Sequence, residues 1–584
     1  MRIPFRSISA TVAWLFLAGI LMVGVPLFIC MPLWVDTTYH DLSARNILWG
    51  GVHYRDIFET NLPGMVWITA AIRPVIGWSS EAIRIADLVV VGGTIALLWL
   101  FLKRIGISHA GRAWFVAACA FFYVYETEFI HCQRDMWMLL PTVIALHLRA
   151  QQVAAAPTAS SASCFRRAVL EGVAWACAVW IKPHTLVPAL FVWLASVRRL
   201  AATRRIAVAD FAGLLIGGLL VGGAGTIWLI ATGTWPYMWD VLLNWNQEYY
   251  RWSLNEMDMR ASMVIMYFAP WSLIHLVAIP LAIAALIRAR VWRIGAVEGM
   301  PAGRIDQALL AALYLGWLVQ ATFLQKTFHY SQAPPLLLAM AVVAAHRVPA
   351  APILIAWCLA GGALHYYAAT NDTLRGWLGQ FHHEKENTFK QLVPTHKLIN
   401  HEWRSVWWKC VSEGSSPELK DQLSFYRYIH CAPTWTDLDD VWNYLETLQL
   451  KDGELICWDD STHPLYLDLK IRPGIRYMHV NTALDNFVSK RPQIRQELID
   501  SRARHERQFV VSDIGVVRFL YDFFPTEPPS ADVPELPDAF PCFCRDVFPW
   551  NQPIVRKFGR YYVHEITKPI GEIRIPHPVR INMP

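Results

Sequence analysis

The chain runs to 584 residues, 55% hydrophobic and only 17% charged, with positive mean hydropathy and 28 tryptophans. Such a balance belongs to a membrane protein, and the tryptophan excess suits membrane–water interfaces. The net charge of +6 is mild and its basic residues lie mostly in short loops, which argues for orientation signals and against a nucleic-acid partner.

Arg2 and Arg6 precede an apolar run at 11–34. A cleaved signal peptide has a shorter apolar core followed by a small-residue cleavage site, so this run reads as a retained first span. It ends directly before Asp36, placing a carboxylate where hydrocarbon gives way to water. A charge at that depth loses solvation and tends to be kept for a task. The stretch 36–83 is too long for a tight turn, and 62–76 is apolar with Arg73 interrupting it, which suits a helix lying at the interface. Further runs of bilayer-spanning length fall near 84–102, 112–126, 135–150, 168–181, 183–197, 206–231, 262–287, 306–324, 331–346 and 350–369. Lys103-Arg104, Arg149 with Arg166-Arg167, Arg198-Arg199 with Arg204-Arg205, Arg288-Arg290-Arg293-Arg304 and Arg347 mark every second loop. By the positive-inside rule the N-terminus is cytoplasmic, and eleven spans leave the C-terminus outside.

The small-residue stretch 151–165 reads as a linker without chemistry. From residue 371 the sequence turns charged and Pro-punctuated. Strand-like runs at 454–458, 476–480, 508–512 and 561–566 and helical periods at 438–448 and 493–507 predict a small α/β domain. The expected division is 1–370 for a transmembrane unit and 371–584 for an extracytoplasmic one. Five of the eleven cysteines lie in the last third, so they cannot all pair with one another, and Cys542-x-Cys544 is too weak for a redox or zinc motif.

Five constellations carry chemical promise. The first two are Asp36 itself and the loop Gly51-Val52-His53-Tyr54-Arg55-Asp56, followed by Asn61-Leu62-Pro63-Gly64. In that loop Asp56 can hold Arg55 or a backbone amide, while Arg55 can instead meet a phosphate through paired donors. The third runs from Tyr125 to Asp135 and includes Glu126, Glu128, His131 and Arg134. Its two open roles are a divalent-metal site at Glu126, Glu128 or His131 and an anchor at Asp135 for Arg134 near a phosphate. The fourth is Trp180-Ile181-Lys182-Pro183-His184, where a lysine inside apolar sequence costs roughly 2.5–3.5 kcal/mol and needs a partner or a watery cavity. The fifth is Lys326-Thr327-Phe328-His329-Tyr330, which precedes Pro334-Pro335. The tryptophans and tyrosines of 234–260, Trp252 among them, have two readings, a stacking surface for sugar rings or lipid and, the commoner, an interfacial belt. Asp459-Asp460-Ser461-Thr462 has two readings, a contact to an acceptor and, preferred, a loop after a strand.

The order and side of these motifs over residues 11–350 resemble the GT-C membrane glycosyltransferases, in particular the protein O-mannosyltransferase and aminoarabinose transferase group. That group follows its first helix with an Asp-Glu pair, a Gly-x-x-Tyr-x-Asp step and a Pro-Pro-Gly-like turn; here Thr37 stands where the second acid is usual. Asp135-Met136-Trp137-Met138-Leu139-Leu140-Pro141, the Lys182-Pro183 step and His329-Tyr330 look like its later motifs. The resemblance implies a polytopic α-helical fold and a polyprenyl-phosphate sugar as donor. It implies Asp36 as general base, Lys182, Arg134, His329 and Arg55 around the donor phosphate, and Asp135 orienting them or holding a metal. Tyr54, Asp56 and Tyr330 would support the loops. The acceptor, whether glycan, lipid or protein, is left open. Short arginine-rich loops without an organelle address point to a bacterial inner membrane. No Gly-rich nucleotide loop follows a strand, which suits a lipid-linked donor. A lipid or glycan translocator would spread charges through the spans and show an inverted repeat, and neither is seen. A non-catalytic envelope-assembly protein would tolerate Asp36→Asn.

Overall fold

The structure, a computed structural model, describes residues 5–573 except 157, 159, 201–203, 252–256, 293–301, 327, 371–402, 426–431, 479, 481, 482, 485, 486, 516–534, 537, 539, 541 and 572. The expected boundary at 371 and Trp252 therefore lie outside the described residues.

Helix α1 (Phe5–Cys30) is the first long apolar run. Residues 36–83 are not a loop with one interfacial helix. They hold two helices, α2 (Val35–Leu48) and α3 (Gly64–Ile76). Arg73, expected to interrupt an interfacial helix, is fully buried against Asp41 of α2, with Nε 2.7 Å from Oδ1. Its Nη1 donates to the carbonyls of Gly77 and Ser79. The arginine thus closes α3 onto α2 and onto the start of the next span, and polarity misplaced it because a buried arginine reads like a surface one until its partner is known.

There follow α4 (Ser80–Ile105), α5 (His109–Val124), the short α6 (Arg134–Trp137), α7 (Leu139–Ala155) and α8 (Ser161–Ile181). The expected linker at 151–165 is accordingly only the few residues between α7 and α8. Beyond lie α9 (Leu186–Leu200), α10 (Arg204–Ala231), α11 (Trp235–Asp240), α12 (Asn246–Arg251), α13 (Met257–Met266), α14 (His275–Ala289), α15 (Ala302–Val319), α16 (Ala333–Ala345) and α17 (Ala350–Thr370). The run at 262–287 is broken between α13 and α14 around Pro270. Among the described residues five segments are long and apolar enough to cross a membrane: Ile8–Cys30, Ser80–Ile105, Arg204–Ala231, Trp271–Ala289 and Gly303–Leu324. The other expected runs also fall on helices.

The bundle is tightest where α8 meets α10. A Cβ at Gly217 would strike the carbonyl oxygen of Val169, so only glycine lets the two backbones approach this closely. The arginine-rich loops gather at one end. Arg104 pairs with Asp306 at 2.8 Å and reaches the carbonyl of Ala150, and Arg199 reaches that of Ala289.

The C-terminal third sits at the other end. Helix α18 (Trp403–Ser412) lies along α1, with Trp407 Nε1 donating to the Met22 carbonyl at 3.1 Å. After α19 (Pro417–Leu423) and α20 (Trp435–Thr447) comes a four-stranded sheet of β1 (Leu455–Cys457), β2 (Phe509–Asp513), β3 (Ile554–Phe558) and β4 (Tyr561–Glu565) in the order β1-β2-β4-β3. β1 and β2 run parallel, and the other two pairings are antiparallel. Helix α21 (Pro464–Leu469) follows β1, and α22 (Arg491–Arg504) buries Ile494 and Leu498 against Ile456 and Val510. The expected strand at 476–480 is absent among the described residues there; Tyr477 and Met478 line a cavity instead. Strand β3 escaped the sequence because its alternation, Ile554-Val555-Arg556-Lys557-Phe558, is broken by a bulge.

Candidate active site

A cavity of about 300 Å³ lies where the helical bundle meets the C-terminal third. Its floor comes from the α1–α2 junction, where the chain leaves α1 at Pro32 and restarts a helix at Val35. Asp36 falls in the first turn of α2, facing the positive end of that helix dipole. Asp36, Tyr39 and His40 line the cavity together with Phe58, Glu59, Thr60 and Asn61 of the α2–α3 loop. Gln133 and Arg134 enter from the start of α6, Tyr249 from α12, and Phe328 and Tyr330 from the segment before α16. Asp460, Tyr477, Met478, Ala483 and Phe487 form the wall opposite.

The α2–α3 loop is held by its own polar groups. Tyr54 is buried at φ 66°, a left-handed conformation costly for a non-glycine residue, and its hydroxyl donates to the Asn61 carbonyl at 2.5 Å. Asp56 accepts from the Val52 amide at 2.7 Å and from Arg55 Nε at 2.6 Å. Arg55 is exposed, and among the described residues lining the cavity it does not appear. Glu59 accepts from the Asn61 amide and side chain at 3.0 and 2.5 Å. Pro63-Gly64 then starts α3 hard against α8: a Cβ on Gly64 would strike the backbone of Trp180.

Arg134 is the guanidinium of the cavity. Burial works against its charge, but Tyr330, Glu59, Asp135 and Asp36 nearby outweigh this and hold its pKa above the usual value. Its neighbour Asp135 is fully buried, with both oxygens 2.9 Å from Lys182 Nζ. Lys182 follows the last residue of α8, where Pro183 ends the helix, and it also donates to Gln325. Burial lowers its pKa to about 8 against the opposing pull of Asp135. Tyr330 spans the two sites: it lines the cavity, and its ring lies 5.8 Å from Lys182 Nζ. The structure thus brings Asp36, Arg134 and Tyr330 onto one cavity and places the Lys182–Asp135 pair just behind it.

Other expected residues lie elsewhere. His329 packs between the rings of Tyr267 and Phe129, with centroids 3.7 and 5.5 Å away, and burial lowers its pKa to about 4, so its imidazole is neutral at pH 7. Glu128 accepts from Ser424 Oγ at 2.8 Å and the Phe425 amide at 3.1 Å, tying the α5–α6 loop to the C-terminal third. Both ring nitrogens of His131 are engaged, by Arg84 at 3.2 Å and the Tyr123 carbonyl at 2.8 Å. These donors do not fit a metal site. Among the described residues no three His, Cys, Asp or Glu side chains gather as a metal would require.

Sequence reasoning gave no role to Glu59, Tyr39, Gln133, Tyr477, Met478, Ala483 or Phe487, whereas Tyr249 and Asp460 fall in stretches it singled out. Glu59 had a local signal, an acid two residues before the Asn61-Leu62-Pro63-Gly64 turn. Beyond Asp460 the wall had none, because it is remote in sequence from every other lining segment.

A second hollow, an apolar groove of about 730 Å³, begins at Leu62, next to the cavity's Asn61. It runs between α8, α9 and α10 past Trp175, Trp180, Leu190, Trp193 and Leu214, with Trp235 and Trp239 of α11 on its rim.

No family model matches the sequence, and no curated protein matches it either. Among solved structures, ArnT (aminoarabinose transferase) from Cupriavidus metallidurans, bound to undecaprenyl phosphate, superposes with a TM-score of 0.51 at 15% identity. That alignment covers 95% of this chain and 98% of that one. The oligosaccharyltransferase of Archaeoglobus fulgidus in its apo form aligns over 88% of this chain and 70% of that one at 11% identity, with a TM-score of 0.39, too low to establish a shared fold. The chain is an integral membrane protein that shares the fold of ArnT.

Proposed function

We propose that the chain is a membrane glycosyltransferase that moves a sugar from a polyprenyl-phosphate donor to an acceptor hydroxyl or amine. The observation carrying this reading is the pairing of a half-buried carboxylate, Asp36, with a guanidinium, Arg134, across one aromatic-lined cavity that adjoins an apolar groove. The ArnT neighbour, which binds undecaprenyl phosphate, supports it.

The chemistry is a single displacement. The acceptor oxygen or nitrogen bonds to the anomeric carbon while its proton passes to Asp36. The anomeric C–O bond to phosphate breaks and its electron pair leaves with the polyprenyl phosphate, inverting the anomeric centre. Arg134 meets the charge that develops on that phosphate, and a preorganised cation there lowers the barrier. The Lys182–Asp135 pair stands behind it and keeps Arg134 and Tyr330 in place. Trp180, Trp193 and the leucines of the groove take the isoprenoid tail. The division into a transmembrane unit, 1–370, and an extracytoplasmic unit, 371–584, is part of this reading. So is a bacterial inner membrane with a cytoplasmic N-terminus, which suits arginine-rich loops gathered at the far end of the bundle.

Sugar transfer in proteoliposomes, with a panel of radiolabelled polyprenyl-phosphate sugars and envelope extracts as acceptors, tests it. Wild type is expected to label an acceptor, and Asp36→Asn to lower the rate by roughly 10²–10⁴-fold at unchanged expression. Equal labelling by wild type and variant would remove Asp36 from the chemistry. Intact donor in every wild-type reaction would overturn the transferase reading.

A further inference from the structure

From the far wall of the cavity we infer that Asp460 positions the acceptor and sets its class, a saccharide head group that is neutral or bears an ammonium, in preference to an anionic one. This rests on the glycosyltransferase reading above.

Asp460 opens the short helical turn after β1, at the carboxyl end of the parallel pair β1 and β2. In open α/β sheets that end is where ligands are held. The residue is half-buried and lines the same cavity as Asp36, from the opposite side.

Its neighbours are pinned to an extent that a surface loop does not require. The carboxylate of Asp459 accepts from the Asp513 amide at 2.6 Å, and its carbonyl accepts from the Thr462 amide and hydroxyl at 2.9 and 2.7 Å. Ser461 Oγ donates to Asp513 Oδ2 at 2.6 Å, and Arg560 clamps the Asp513 carboxylate from behind, Nε lying 2.8 and 2.9 Å from its two oxygens. His463 bonds the carbonyl of Met478, which fixes the next stretch of the same wall. Asp459, Ser461 and Asp513 are fully buried, so the loop presents Asp460 to the cavity on a rigid base. Preorganisation of this kind is what a recognition group needs if it is not to lose binding energy on ordering.

The charges select the class. Among the described lining residues, Asp36, Glu59 and Asp460 are acidic and Arg134 is the one guanidinium. With Arg134 given to the donor phosphate, the remaining surface offers carboxylates and aromatic faces such as Tyr477 and Phe487. Sugar hydroxyls or an ammonium donate to the first, and the C–H faces of a sugar ring stack on the second. A second anionic group would meet Asp36, Glu59 and Asp460 at close range.

The test uses the full chain in nanodiscs with hexyl glucoside, hexyl glucosaminide and hexyl glucuronide as acceptor probes. Binding is read by tryptophan fluorescence, and transfer by label from the polyprenyl-phosphate donor. Wild type is expected to bind the glucosaminide and glucoside more tightly than the glucuronide. Asp460→Asn should weaken the first two by about tenfold, while donor affinity stays within about twofold. Asp460→Lys should reverse the order in favour of the glucuronide; if it does not fold, Asp460→Ser carries the same reading through loss of acceptor affinity. Unchanged head-group order and affinity in these variants would overturn the inference, as would an equal loss of donor and acceptor binding. An intact head-group order with no transfer from any donor would instead sink the transferase reading alone.

Discussion

Arg134 and Lys182 are both cations near the cavity, yet they are built for different work. Lys182 is neutralised where it stands by Asp135, whereas Arg134 sits amid several anions and faces open space. Removing Arg134 as Arg134→Gln should therefore cost transfer, seen as a fall in rate at unchanged expression. Removing the buried Lys182 as Lys182→Met strands the Asp135 carboxylate and should cost about 3–5 kcal/mol of stability, visible as a lowered melting temperature in detergent. The double variant Lys182→Met with Asp135→Leu should recover most of that loss. A second residue-scale consequence concerns acid. His53 and His564 are fully buried, and burial lowers their pKa to about 3 and about 4. Their unfolded forms bind a proton near pH 6.5, so below that value the unfolded state gains protons the folded state refuses. Stability should be full above pH 6.5 and fall as pH drops towards 4. His53→Leu should flatten that acid limb in a melting series across pH 4–7.

At the scale of elements, the contact between α8 and α10 fixes where Lys182 stands, since Lys182 directly follows α8. Gly217→Val would drive a side chain into the Val169 carbonyl and separate the helices. We expect a loss of several kcal/mol, of the order that overpacking brings, with activity and melting temperature falling together. Gly64→Ala should act in the same way through the backbone of Trp180. The helices of the bundle were legible because their apolar runs are long; α2 was not, since its polar, mixed sequence has no hydrophobic period and its burial comes from neighbours on all sides. Arg73 and Asp41 were illegible for a related reason. A buried ion pair joins two residues by a contact that spacing does not reveal. On the sheet, β1, β2 and β4 follow apolar runs, while β3 carries half-exposed residues and a bulge.

For the molecule as a whole, the C-terminal third is fastened to the bundle by discrete polar ties. Arg45 reaches the Leu467 carbonyl at 2.7 Å, the Phe58 amide donates to the Arg476 carbonyl at 2.9 Å, and Glu248 accepts from Ser489 Oγ at 2.6 Å. Breaking Glu128 and Glu248 together, as Glu128→Ala with Glu248→Ala, should loosen this docking without unfolding either part. Limited proteolysis should then release the C-terminal part faster than from wild type, and transfer should fall. Motifs along the first 350 residues revealed one half of the cavity, because each stands at the end of a span. Of the other half only the Asp459–Thr462 stretch stood out along the chain, because that wall reaches the cavity by docking.

The wall from Asp460 to Phe487 is also the part of the cavity that the ribosome makes last. A chain interrupted before it lacks Asp460, Tyr477, Met478, Ala483 and Phe487 of the lining. On the proposed reading, synthesis in this order completes the acceptor's side of the cavity only after the donor's residues are in place.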